Sequence, residues 1–173
     1  ITGNDRLAEV LAGIDLAHRV GLTPVKVNMV VMRGGNDDEV LDFARKTVDE
    51  GWNVRYIEYM PFGGSDAEFR RMVSSQEIME RLDVLGHLEP SGMKTGNGPA
   101  RYFRLPGANG TIGFISPITE HFCSSCNRLR ITADGQLRPC LLDDDEIDIK
   151  KALRNGASDE ELKLLIERAL TIK

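Results

Sequence analysis

Apolar positions recur along this chain in two rhythms, one close to a helical turn and one alternating, and their order sets the expected fold. Residues 6 to 20 put Leu7, Val10, Leu11, Ile14 and Ala17 on one helical face, with Asp5 as a capping candidate and Gly21 as a stop. Pro24 leads into Val25-Lys26-Val27-Asn28-Met29-Val30-Val31, a β-branched run that reads as a strand. The unit then repeats. Asn36 and Asp37 can cap a helix carrying Val40, Leu41, Ala44 and Val48, Gly51 stops it, and Val54 to Met60 forms a second strand. Helix alternating with strand over short connections predicts parallel strands in an α/β layer or barrel. Two such units do not close a barrel. With a chain that begins at Ile1 and ends at Lys173 in mid-helix pattern, the expectation is a portion of a longer protein.

Strands buried on both faces are nearly all apolar, yet Lys26 and Asn28 alternate with Val25, Val27 and Met29. If the apolar set packs on helices, Lys26 points to a barrel interior, where an ammonium needs an anionic partner. The plain alternative is a lysine at a solvated edge. Arg55 and Glu58 raise the same question in the second strand, and Met60 ends it where barrel enzymes place their chemistry. From Pro61 the composition changes, and Phe62-Gly63-Gly64-Ser65 reads as a connection dividing the chain into 1–62 and 63–173. Beyond it, Ser75 opens a helix with Ile78, Met79 and Leu82. Asn109-Gly110 predicts a hairpin between Arg101 to Leu105 and Thr111 to Ser116. Asp143 to Glu146 reads as a solvated acidic loop, and Ser158 with Glu161 as a capping box before a helix carrying Leu162, Leu165, Ile166, Ala169 and Leu170. The second part is thus an α+β module with antiparallel strands.

All three cysteines lie in HFCSSCNRLRITADGQLRPCLL, as Cys123, Cys126 and Cys140 in the spacing C-x2-C-x13-C. Two thiolates can close on one centre from a single turn, whereas the third needs a fold-back, and Asp134-Gly135 supplies one. A one-residue slip would exchange the faces. A three-residue loop, Ala133-Asp134-Gly135 with Gly135 left-handed, pairs Arg130 with Arg138 and Arg128 with Cys140. One face then carries Arg128, Arg130, Thr132, Gln136, Arg138 and Cys140, the other Leu129, Ile131, Leu137, Pro139 and Leu141. Such thiolates hold zinc, with His121 as fourth ligand, or an iron–sulfur cluster with one position open for substrate. The arginines tilt the choice toward a cluster holding an anionic substrate; a solvated strand face is the plain alternative.

Composition is that of an ordinary globular protein, with 41% hydrophobic and 28% charged residues. A net charge of −5 argues against non-specific nucleic-acid binding. No apolar run approaches the roughly 18 residues of a membrane span, and no signal peptide pattern is visible. Three cysteines at metal-ligand spacing fit a reducing cytoplasm better than a secreted disulfide framework.

The run FCSSCNRLRITADGQLRPCLL, together with PVKVNMVVMRGGNDDE, VRYIEYMPFG and RNGASDEEL, resembles the GTP 3′,8-cyclases of molybdenum cofactor biosynthesis, a radical S-adenosylmethionine (SAM) family. The resemblance implies the second half of a partial radical SAM barrel in 1–62, followed in 63–173 by a cluster and GTP-binding module. It implies Cys123, Cys126 and Cys140 as ligands of a [4Fe-4S] cluster whose open iron meets guanine. Arg128, Leu129 and Arg130 would line the GTP site, Lys26 would meet the triphosphate, and Met60 and Arg55 would contact SAM. The family's amino-terminal C-x3-C-x2-C motif has no counterpart here, so a second [4Fe-4S] cluster is expected in a further amino-terminal part. The chain alone is then expected to be inactive. GTP, SAM, an electron donor and a second subunit of a homodimer are the implied partners, with no nucleic acid and no membrane.

Overall fold

Over residues 7 to 58 the helical and alternating rhythms fold in the order the pattern predicts. In the computed structural model, which describes residues 3–61, 64–92, 98–123, 126 and 128–172, the first elements are α1 (Leu7–Arg19), β1 (Lys26–Val31), α2 (Val40–Asp49) and β2 (Asn53–Glu58). There follow α3 (Asp66–Phe69), α4 (Ser75–Leu82), β3 (Glu89–Pro90), β4 (Arg101–Arg104) and β5 (Thr111–Ile115). β1 and β2 pair in parallel, Lys26 opposite Asn53 and Asn28 opposite Arg55. β5 joins the other side of β2, also parallel, and β4 returns antiparallel along β5. The sheet order is β1-β2-β5-β4-β3. The chain by itself therefore forms a mixed sheet, and a barrel would need strands beyond these.

Alternation decides the two faces of that sheet. Met29, Val31, Val54, Tyr56, Ile112 and Phe114 cluster with Val40 and Ala44 of α2 and Ile78 and Leu82 of α4. Each large side chain so buried contributes about 1.5–3 kcal/mol. Tyr56 is the largest, and its hydroxyl donates to the Val40 carbonyl at 2.8 Å; burial pushes its phenol far up. Lys26 and Asn28 fall on the opposite face with Asn53 and Arg55, as the alternation predicts.

Local details differ from expectation at several points. Asp5 does not cap α1; Arg6 holds the N-cap position and pairs with Glu9 at 2.9 Å, and no residue of the helix is buried. Asn36 and Asp37 do not cap α2 either. Their side chains accept from Met32 N–H at 2.8 Å and Gly34 N–H at 2.7 Å, closing the preceding loop, so the helix starts three residues later. The hairpin expected at Asn109-Gly110 does form, β4 pairing antiparallel with β5, and Gly110 ends its loop. A Cβ there would strike the Trp52 carbonyl, so close approach to the β2 entry is what excludes a side chain.

Contacts divide the chain into Ile1–His121 and Phe122–Lys173. The composition break at Pro61 thus lies inside the first unit, because β5 completes the sheet begun by β1 and β2; Phe62 and Gly63 of the expected connection lie outside the described residues. The second unit contains β6 (Arg130–Ile131), β7 (Gln136–Arg138), β8 (Ile147–Asp148), α5 (Ile149–Arg154) and α6 (Asp159–Thr171). Its core is Leu137, Ile147 and Ala169, with Leu129, Ile149 and Leu165 against them. α6 opens on the expected capping box between Ser158 and Glu161, and the Ser158 N–H holds the Glu161 carboxyl below its ordinary value. Among the described residues no helix is long and apolar enough to cross a membrane.

Candidate thiol and anion sites

The cysteine hairpin adopts the three-residue register. Arg130 stands opposite Arg138 and Ile131 opposite Leu137, and the Thr132 N–H reaches the Gln136 carbonyl at 2.9 Å. Gly135 has φ +87°, the left-handed conformation the loop demands, and a Cβ there would also lie 2.5 Å from that of Lys150. Asp134 is held below its ordinary value chiefly by the Thr132 hydroxyl. The ladder is shorter than the sequence implies: Arg128 and Leu129 precede β6, and Cys140 follows β7. Leu137 and Leu129 pack inward as expected of the back face, whereas Ile131 on edge strand β6 is 69% exposed.

Cys123, Cys126 and Cys140 form no disulfide, Cys123 being exposed and the others half-buried. Cys126 N–H donates to the Cys123 carbonyl at 3.1 Å, which puts the first two thiols on one tight turn. Cys140 Sγ accepts from the Leu142 N–H at 3.4 Å. Three reduced, reachable sulfurs suit zinc or an iron–sulfur group by donor chemistry. The set is not closed: among the described residues no three His, Cys, Asp or Glu side chains are grouped to hold one metal ion.

The guanidinium groups of the hairpin are not equivalent. Arg138 lies against the acidic stretch, its Nε 2.7 Å from Glu146 and its Nη2 3.6 Å from Asp144. The Nε contact is an ion pair whose angle makes no hydrogen bond. The stretch expected to be a solvated loop therefore neutralises one of the three arginines, and β8, which the sequence pattern did not reveal, brings Glu146 there by pairing with β7. Arg128 lies over the Phe122 ring at 5.2 Å. Arg130 has no carboxylate within ion-pair distance among the described residues and is half-buried. Asn127 of the motif lies outside the described residues.

In the first unit the structure brings Lys26 and Arg55 to one sheet face, on paired strands. Arg55 Nε donates to Asn28 Oδ1 at 2.7 Å. Met60 follows β2 and is half-buried, and the neighbouring Tyr59 hydroxyl donates to Glu68 at 2.7 Å. Glu58, on the packed face and 1% exposed, accepts from the N–H groups of Ser75, Ile118 and Thr119 at 3.0, 3.1 and 3.0 Å, and from the Thr119 hydroxyl. One carboxylate thereby fastens the end of β2, the start of α4 and the turn after β5. Sequence reasoning marked Glu58 as out of place in a strand but not as this fastener; a carboxylate in an otherwise apolar strand end was the signal.

The family model for Molybdenum Cofactor Synthesis C matches residues 52–173. The chain is 50% identical over 173 residues to a GTP 3′,8-cyclase of Moorella thermoacetica, covering 100% of this chain and 54% of that protein. It is 49% identical over 174 residues to one of Thermodesulfovibrio yellowstonii, and 48% over 175 to one of Gloeobacter violaceus, with the same coverage in both. The chain spans about half the length of the curated relatives it matches.

Proposed function

The chain belongs to the Molybdenum Cofactor Synthesis C family, and from that premise we propose that it is the carboxy-terminal portion of a GTP 3′,8-cyclase, acting early in molybdenum cofactor synthesis on GTP with SAM. The observation that carries this reading is the hairpin: reduced thiols on both sides of a tight fold-back whose Arg130 has no carboxylate partner among the described residues. Cys123, Cys126 and Cys140 are assigned as ligands of a [4Fe-4S] cluster, which when bound supplies an open iron for a guanine atom. Arg128, Leu129 and Arg130 are assigned to GTP, and Lys26 to its triphosphate. Met60 and Arg55 are assigned to SAM. An amino-terminal part, with a second cluster and the rest of a radical SAM barrel, would complete a cytoplasmic, homodimeric enzyme fed by an electron donor.

Full-length protein, purified without oxygen and given GTP, SAM and reductant, should form the cyclised nucleotide and 5′-deoxyadenosine, while the 173-residue chain alone forms neither. Metal analysis separates this from a binding module held by zinc on His121 and the three cysteines, docking an acidic partner. Iron and sulfide without stoichiometric zinc support the cyclase. Zinc in their place, or 5′-deoxyadenosine from the chain alone, would sink it.

A further inference from the structure

Arginine in a strand ordinarily swings freely in solvent, and its anion affinity is reduced by the freedom lost on binding. Arg55 is restrained at two points. Its Nε donates to Asn28 Oδ1 at 2.7 Å on β1. Its stem lies across β5, where Gly113 is its register partner. A Cβ at Gly113 would stand 2.9 Å from Arg55 Cγ and 3.1 Å from Cε1 of Tyr102. Only a glycine leaves that strip of backbone bare, although a glycine in mid-strand weakens the strand. The side chain is thus laid over one neighbouring strand and pinned to the other.

The pinned atom matters. Arg55 has five N–H donors in a planar fork, and the bond to Asn28 uses the one on Nε. Among the described residues no carboxylate pairs with it. Both Nη groups are left as a preset edge, the geometry that receives two oxygens of a carboxylate or phosphate at once. Because Asn28 is neutral, it orients the guanidinium without cancelling its charge. Aspartate at that position would hold the same bond and remove the attraction.

We propose that Asn28 and Gly113 are positioning residues that preset Arg55 as a two-pronged oxyanion clamp. The inference rests on the cyclase reading, which supplies two oxyanions, the triphosphate of GTP and the carboxylate of SAM. Both share the chemistry the clamp recognises.

The test is calorimetry on the full-length protein with GTP against guanosine and SAM against 5′-methylthioadenosine, for the parent, N28A, N28D, R55A and the double variant N28A/R55A. The first comparison removes the triphosphate, and the second removes the carboxylate together with the ammonium and the sulfonium charge. N28A should weaken one of the two anionic ligands about tenfold, the scale of one hydrogen bond to a charged group, without touching its uncharged counterpart. N28D should weaken it further. In the R55A background N28A should cost nothing more, because Asn28 acts through Arg55. G113A gives an independent check: it should lower affinity for the same ligand as N28A, and lower thermal stability less once Arg55 is alanine. Equal affinity of N28A and parent, or additive losses in the double variant, would overturn the inference while leaving the cyclase reading intact. A parent that binds neither GTP nor SAM would overturn that reading and this inference together.

Discussion

The two units are built to different rules. Among the described residues the first buries fifteen hydrophobic residues in one cluster, whereas the second buries three. The first has 121 residues and the second 52, so apolar burial per residue is about halved in the second. Units of that size are marginal on hydrophobic burial alone and ordinarily recruit a metal or a covalent staple. All three thiols lie in this thin-cored unit. Its β6 and β8 are two residues long each, while the sheet strands β1 and β2 have six. The contrast teaches that a metal on the three thiols, as proposed, would supply stability that the second unit's own core lacks and that the first unit does not need.

The largest expected effect breaks the two units apart. In the full-length protein, Cys140→Ser or stripping the metal should abolish amide-exchange protection at Leu137 and Ile147, a loss of about 3–5 kcal/mol for a small unit left to its own core. Val54 and Tyr56 in the first unit should keep theirs. His121→Ala should leave both protection and iron unchanged. Uniform loss across both units, or none in the second, would contradict the division of labour.

The next effect asks whether the first unit rests on apolar packing alone. Glu58→Gln keeps the shape but turns an amide N–H toward the donors of Ser75, Ile118 and Thr119, so at least one buried donor loses its acceptor. Urea denaturation should register a loss of about 3 kcal/mol. A change below a few tenths would mean that water replaces the carboxylate. On the hairpin, Arg130→Ala should weaken GTP binding by about 1.5–3 kcal/mol without loss of iron, and Arg138→Ala by less, since Glu146 and Asp144 already occupy Arg138.

What could be read from sequence follows the same divide. Side-chain alternation and turn chemistry are local, so the polar face of β1, the parallel β1–β2 pair and the Gly135 register were all legible from a few adjacent residues. Partners distant in sequence were not. Glu58 meets Thr119 sixty-one residues away, and β5 slots beside β2 across fifty-eight, so the boundary expected at Pro61 fell within one sheet. Asn36 and Asp37 misled for a subtler reason: their side chains can satisfy loop N–H groups as well as helix N–H groups, and pattern alone does not choose. Beside Arg138, an acidic run with no apolar periodicity concealed both its ion-pair role and the short strand that ends it.

The smallest effect concerns the ionic fastening of the first unit, a chain of Arg33, Glu77, Arg81 and Asp37 joining the β1–α2 loop to α4. Asp37 is held below its ordinary 3.8, first by the Gly34 N–H and then by Arg81. Glu77 is held below its ordinary 4.5, first by Arg33 and then by Arg81. A carboxyl depressed by folding adds stability that is fully present above its unfolded value and disappears as pH falls through the folded one. Asp37→Asn should therefore cost about 1 kcal/mol at neutral pH, near the upper end for partly exposed pairs. The parent's advantage should persist down to about pH 5 and close as pH falls through the range below 3.8. Urea titrations of both proteins from pH 7 to 3 would trace that gap. An advantage that survives at the acid end would show that Asp37 acts through loop geometry alone, and one absent at pH 7 would show that solvent already screens the network.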